Sequence, residues 1–363
     1  MEKVNGLQRV KRSNGLLTGL LGAAVSQLTV VARKWVYLVR LQIGATAATY
    51  GLLVDVFLLL RFAVGEKSEV VALFNTVATW LVAGSLVSFG LSFLAPYRKY
   101  WLACSVPGVM AFVLWHGTLF IPGRPLIPPD TTDLFTVASF NIMQSAGTVL
   151  DEDTRVAIEN LDADLVGIQE VGKDVPLSEI DGIFPYQVQH AGIAVISRVP
   201  LADERLITVE KTDGKGQPVA LRVTAEINDH QISVYVAQLV RPTISVRPME
   251  YDARDLKRGM EALLDALRKD PNPVILLCDC NFSPTSESYE NMAKLLNDSW
   301  RAAGFGLGLT APASKNDVPF RVIRCDYIWH SSELATLNAK VIANHGASDH
   351  HPARAELGWI VDD

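Results

Sequence analysis

The stretch LLCDCNFSP, residues 276–284, closes an apolar run with Asp279 and Asn281 two positions apart. Side chains alternate faces along a strand, so Asp279 and Asn281 are predicted to share one face and Cys278 and Cys280 the other. Asn-Phe-Ser-Pro also suits a turn, and this pair alone distinguishes nothing. Four further apolar runs end in the same way. LFTVASFN delivers Asn141, DLVGIQEV delivers Glu170, RCDYIW carries Asp326, and GASDHHP places Asp349 and His350 just before a final strand. Five strand ends that each carry an acid, an amide or a histidine make a site if they converge, because buried carboxylates need a compensating cation.

Residues 134–363 carry the pattern that could bring them together. Short β-rich runs alternate with amphipathic helices: strands at 134–141, 164–171, GIAVISR, PVALRVTAEI and ISVYVAQL, the last two joined through NDHQ as a hairpin. MEYDARDLKRGMEALLDALRKD is predicted as a helix with Leu256, Met260, Leu263, Leu264 and Leu267 on one stripe, stopped by Pro271. After PVILLCD come a helix near 286–297 and strands at RCDYIW and PARAEL. A segment of this length buries a substantial core and is expected to form one α/β domain.

The preceding residues have a different solvent. The chain is 49% hydrophobic, high for a soluble protein. Residues 1–129 hold 12 Lys and Arg against 4 Asp and Glu, a net +8, whereas residues 130–363 hold 21 against 35, a net −14. Three stretches, 41–64, 70–95 and 101–121, are long and apolar enough to cross a bilayer. A fourth, 15–32, has basic residues on both sides and is expected to lie at the interface, within a basic cytoplasmic segment 1–40. Asp55 and Arg61 fall inside the first span and need partners, Arg61 by reaching outward.

Basic residues gather before residue 41 and in the PYRKY turn, so the amino terminus is expected in the cytoplasm and the α/β domain on the outer side. The protein is then integral to the plasma membrane, with the bilayer as its partner. The segment 122–133 contains a proline-rich linker of roughly eight residues, reaching at most about 25 Å.

VASFNIM, DLVGIQEV, GIAVISR, CDCNFSP, RCDYIW and SDHHP, in that order, resemble the motifs of the endonuclease/exonuclease/phosphatase superfamily. That group includes pancreatic-type deoxyribonucleases, abasic-site endonucleases, inositol polyphosphate 5-phosphatases and neutral sphingomyelinases. The resemblance implies a four-layer α/β/β/α sandwich, preceded here by an α-helical transmembrane region of three spans. It implies that Glu170, with Asn141 and Asp349, holds Mg²⁺, for which Mn²⁺ could substitute. Asp279 would be the base that orients water, Asn281 the amide that positions the nucleophile or a phosphate oxygen, and His350 a cationic donor steadied by Asp326. No organic cofactor is implied.

The chain departs from the family pattern at Gln238, where many members have a histidine, at Cys278 in place of a glycine and at Ile193 in place of an asparagine. Gln238 can donate a hydrogen bond but not a proton, which leaves water, His190, His345 or the metal to assist the leaving group. Gln238, Arg241 and His351 are candidate substrate contacts. Cys278, Cys280 and Cys325 are expected to point away from the site, with a Cys280–Cys325 disulfide open only if their strands adjoin.

The reading is a membrane-tethered, Mg²⁺-dependent phosphoester hydrolase, acting on a phospholipid or another membrane-associated phosphoester. A metal-dependent nuclease and a non-catalytic membrane scaffold stand as alternatives. The acidic domain disfavours extended nucleic-acid binding, which draws affinity from many Lys and Arg contacts to phosphate.

Overall fold

The computed structural model describes residues 2–125, 130–144, 147–246, 249–313 and 321–361. Residues 126–129 of the expected proline-rich linker lie outside them. The chain divides into two compact units, Met1–Leu59 with Trp80–Ala111, and Leu60–Thr79 with Phe112–Asp363.

Four helices account for most of the chain up to residue 116: α1 (Glu2–Val64), α2 (Glu69–Thr76), α3 (Ala78–Ser92) and α4 (Arg98–His116). Within the first unit, small residues let the helices approach. An added Cβ at Gly51 would collide with the Cys104 carbonyl and one at Gly108 with Ser85, the kind of backbone proximity that apolar helices use in lipid. Ser88 Oγ donates to the Ala47 carbonyl at 2.7 Å and Tyr50 OH to that of Leu81 at 2.7 Å. Leu52, Leu53, Val56, Leu59 and Val87 remain exposed.

Two helical stretches, Ala24–Lys67 and Arg98–Phe120, are long and apolar enough to span a membrane, and the bent pair α2 and α3 makes a third if counted as one span. Two details go beyond what hydropathy reports. No break separates 15–32 from 41–64, because RKWVYLVR contains neither proline nor glycine to end the helix. The stretch 70–95 is not one straight span: it bends by 69° at Val77, whose backbone is non-helical (φ −112°, ψ 12°). The Asn75 carbonyl there accepts from Ser283 Oγ at 3.0 Å and Thr285 Oγ1 at 2.8 Å. A tertiary cap has replaced the next helical turn.

The second unit contains the α/β sandwich. Its elements run β1 (Thr131–Gln144), α5 (Glu152–Glu159), β2 (Leu165–Val171), β3 (Tyr186–His190), β4 (Ile193–Ser197), β5 (Leu201–Glu210), β6 (Gly216–Ile227) and β7 (His230–Gln238). They continue with β8 (Thr243–Val246), β9 (Met249–Asp252), α6 (Arg254–Lys269), β10 (Val274–Asp279), α7 (Glu287–Ala293), β11 (Asn297–Asp298), α8 (Ser299–Ala303), β12 (Asp326–His330), β13 (Leu334–Val341) and β14 (Ala353–Ile360). One six-stranded sheet has the order β13-β14-β1-β2-β4-β3 and the other β11-β12-β10-β7-β6-β5. MEYD, expected to open the helix, instead forms β9, paired antiparallel with β8.

Alternation along the strands builds three apolar layers. On β10, Ile275 and Leu277 pack between the sheets while Val274, Leu276 and Cys278 face α6 and α7. On β1, Phe135 and Val137 face the same intersheet core while Ala138 and Phe140 face α5. The result is the expected α/β/β/α order. The sheets come close at Gly167, where an added Cβ would sit 2.8 Å from Leu277 Cβ and Val236 Cγ2, so a larger residue would pry them apart.

Candidate active site

Four site residues come from the carboxyl ends of parallel neighbours. Asn141 and Glu170 end β1 and β2, and Gln238 and Asp279 end β7 and β10. Asn141 follows Val137 and Ser139 on the intersheet face, as Asp279 follows Ile275 and Leu277, so the core's own alternation aims both into one cleft. Asp326 lies opposite Asp279 in the antiparallel β10–β12 register, and His350 precedes β14.

Local backbone sharpens the aim. Glu170 (φ 55°) and Asn281 (φ 50°) occupy the left-handed region, which costs non-glycine residues on the order of 1 kcal/mol. Asn281 therefore reaches Asp279 by a turn beyond the strand end, not by simple strand alternation.

The polar groups interlock. Asn141 Nδ2 donates to Glu170 Oε1 at 3.0 Å and to Asp279 Oδ2 at 2.9 Å, and its Oδ1 accepts from the Met143 amide at 2.9 Å. Gln238 Nε2 donates to Glu170 Oε1 at 2.7 Å. Asn281 Nδ2 donates to Asp279 Oδ2 at 3.2 Å and to the Leu239 carbonyl at 2.9 Å. All three amides thus hold carboxylates in place. Across the cleft, His350 Nδ1 sits 2.9 Å from Asp326 Oδ2 and 3.1 Å from Oδ1.

Burial sets the protonation states. Loss of solvent, reinforced by the nearby Asp326 charge, raises Asp279 to about 7. Burial alone would lower His350, but the Asp326 carboxylate overrides it and holds the imidazolium well above the ordinary histidine value. Burial and Asp326 push the Cys325 thiol up to about 12.

Donor atoms of Asp279, Cys325, Asp326 and His350 all lie within 4.8 Å of one another. His350 Nδ1 is taken up by Asp326 and Cys325 Sγ lies against the same nitrogen, so that cluster reads as an acid–base group. The oxygens on the other side fit better. Asp279 Oδ1 is buried without a hydrogen-bond partner among the described residues. On Glu170, Oε1 carries the described hydrogen bonds. Glu170, steadied at Oε1 by two amides and with no described hydrogen bond at its other oxygen, suits a hard divalent cation beside Asp279.

The remaining candidates sit at the margin. Asp349 Oδ1 lies 4.0 Å from His350 Nε2, and no described hydrogen bond joins it to Asn141 or Glu170. Arg241 lines a cavity together with Asn281 and His350. His351 Nδ1 faces the Ile342 carbonyl at 2.9 Å and its ring packs on His345. His190 pairs with Glu204 at 3.3 Å on the sheet-edge strand β3.

The cysteines differ from expectation. Cys278 and Cys280 are buried on the helix-facing side and are joined to each other by a disulfide. Cys325 is free, although its strand does adjoin, with the Cys280 amide donating to its carbonyl at 2.9 Å. It does not point away from the site, since its Sγ is 3.9 Å from His350 Nδ1. Residue 325 precedes β12, where strand alternation no longer applies.

Sequence reasoning passed over Ser348, within the quoted SDHH run. Its hydroxyl donates to the Asn141 carbonyl at 2.6 Å and accepts from the His350 amide at 2.9 Å, tying the histidine loop to β1. It also passed over Thr310, whose Oγ1 accepts from the Asp326 amide at 3.3 Å.

Several solved structures are similar in fold. One is an endonuclease/exonuclease/phosphatase from Beutenbergia cavernae, 20% identical, with 63% of this chain and 72% of that chain covered at a TM-score of 0.48. Another is a mannosyl-6-phosphatase from Bacteroides thetaiotaomicron, 16% identical, covering 62% and 100% at 0.47. A third is D. rerio TDP2 complexed with a single-strand DNA product, 14% identical, covering 62% and 100% at 0.49. No curated protein matches the sequence. A model of the Endonuclease/Exonuclease/phosphatase family matches residues 139–350, well over half of the chain and every strand end that builds the cleft, and to that family the chain belongs.

Proposed function

We propose that the chain is a membrane-tethered, Mg²⁺-dependent hydrolase of a phospholipid or another membrane-associated phosphoester. One observation supports the phosphoester-hydrolase reading: buried Asp279, held by Asn141 and Asn281, lies beside the His350–Asp326 pair at the strand ends. Asp279, half ionised at about pH 7, takes the proton from a water whose oxygen forms the new bond to phosphorus. The P–O bond to the alcohol breaks, and the alcohol leaves with a proton from solvent or His350. His350 donates to the phosphoryl oxygens as charge builds there. Asn281 and Asn141 hold Asp279 in line. A cation held at Glu170 would neutralise phosphate charge.

A panel of phosphodiesters and phosphomonoesters, assayed with Mg²⁺ and with EDTA, tests this. Chelation is expected to reduce turnover by about two orders of magnitude or more. Hydrolysis indifferent to EDTA removes the metal, and no hydrolysis across the panel leaves the scaffold reading.

Orientation is proposed from the loop charges: a carboxyl-terminal tag is expected to be accessible outside intact cells and an amino-terminal tag to be protected. The reverse pattern would place the catalytic domain in the cytoplasm.

A further inference from the structure

A cavity of about 340 Å³ opens beside Asn281 and His350. Its catalytic end is polar, but much of its wall is not: Val77, Ile244, Tyr251, Leu256, Phe282 and Ile323 line it, with Ala72 and Val322 beyond. Arg241 and Lys257 supply positive charge among the lining residues. The wall combines distant parts of the sequence. Residues 66–77 include α2, the first part of the apolar stretch 70–95; Tyr251 comes from β9 and Phe282 from the loop that carries Asn281.

The first part of the wall is fastened to the catalytic loop. Ser283 and Thr285, two and four residues beyond Asn281, donate to the Asn75 carbonyl at 3.0 and 2.8 Å. Asn75 Nδ2 donates to Glu66 Oε1 at 2.9 Å, and the Glu287 amide donates to the same oxygen at 3.2 Å. Arg61 reaches out from the end of α1 to Asn75 Oδ1 at 3.0 Å, the Thr285 carbonyl at 2.9 Å and Glu290 at 2.8 Å. Tyr251 is hydrogen-bonded to Thr76. These bonds join α2 and its flanking residues to β9 and to the loop that presents Asn281, so the cavity is built into the fold and is not a chance gap between mobile loops.

We infer that this cavity is a subsite for an elongated apolar group on one alcohol of the substrate, seated beside the scissile phosphate. The inference rests on the phosphoester-hydrolase reading and narrows it: the substrate is an amphiphile whose chain lies against Val77, Ile244 and Phe282 while its phosphate meets Asn281 and His350. Arg241 and Lys257 exceed the one carboxylate of the wall, Glu66, by a single charge. Segment 66–77 is a specificity element and not only a connector.

The test is a series of aryl alkyl phosphodiesters of increasing chain length, used below their micellar concentrations with the full chain in lipid nanodiscs. Each methylene that enters the cavity is expected to raise kcat/KM by roughly fourfold until the space is filled. Partition into the surrounding lipid would also favour longer chains, so Val77→Asp and Ile244→Glu are run beside the wild type. Both positions are partly exposed, and the quantity read is a ratio within one preparation, so a loss of folded protein cancels. Occupancy of the cavity predicts that each variant loses at least tenfold of the gain between the shortest and longest substrates. A flat series in the wild type, or a slope that survives both variants, overturns the subsite. Failure to cleave even the shortest ester overturns the hydrolase reading beneath it.

Discussion

Asp279→Asn is expected to lower kcat on a soluble aryl phosphodiester by about a thousandfold, within the range for loss of a general base, and to make the metal-free protein more stable at pH 8. The two effects share one cause. Asp279 is buried, and its folded value of about 7 stands well above the unfolded value of 3.8. An acid raised in this way favours folding fully below its unfolded value, and that contribution falls as pH rises from about 4 through 7. Above that window the folded state carries a desolvated carboxylate that the unfolded state solvates freely. Three units at about 1.4 kcal/mol each set an upper bound near ~4 kcal/mol. Asparagine keeps the shape and its carbonyl oxygen can accept from both Asn141 and Asn281, but its buried NH2 then lacks a partner at a cost of about 1 to 2 kcal/mol, so a net gain on the order of 2 kcal/mol remains. Denaturant melts at pH 5 and pH 8 check the sign: the gain must be larger at pH 8. Equal gains at both values, or an active variant, would refute the assignment of Asp279 as a strained base.

The same burial explains how much was legible beforehand. Asn141, Glu170, Asp279 and Asp326 each end or begin an apolar strand, so the pattern that defines the core also displays the exceptions to it, and their convergence could be read from five short runs. The sandwich followed from the same alternation. What alternation could not show lies beyond the strand ends. Cys325 precedes its strand and turns toward His350, and Cys278 and Cys280 bond to each other because they already share a face two residues apart. Strand β5 was missed because LADERLITVE has a run of exposed residues at a register shift on a sheet edge, and alternates only at Ile207 and Val209. The bend at Val77 was missed for a different reason. Hydropathy reports a long apolar stretch, and the Ser283 and Thr285 hydroxyls that cap Asn75 lie more than two hundred residues away in sequence. The wall of the cavity beside the catalytic loop was illegible for the same reason.

His350→Ala is expected to lower kcat by about two to three orders of magnitude, as loss of a charged donor to a developing oxyanion does, and its partner Asp326 supplies the diagnostic. His350 lies in a nearly dry position that alone would strip its proton, and the Asp326 carboxylate at 2.9 Å keeps it charged. In the wild type the rate should rise as Asp279 ionises near pH 7 and stay high into the alkaline range, because the imidazolium persists well above the ordinary histidine value. Asp326→Asn removes the negative charge while retaining a hydrogen-bonding group of similar size. Burial then prevails, His350 loses its proton at lower pH, and the alkaline limb of the kcat/KM profile is expected to move down. The acid limb should move in the same direction, since Asp326 also raises Asp279. A merely structural role for Asp326 would lower the whole profile without shifting either limb. In the double variant the losses should not add, because a histidine already absent has no charge left to protect. Additive losses, or an unshifted profile in Asp326→Asn, would show that the pair does not work as a unit and that the phosphoryl oxygens are met by another cation.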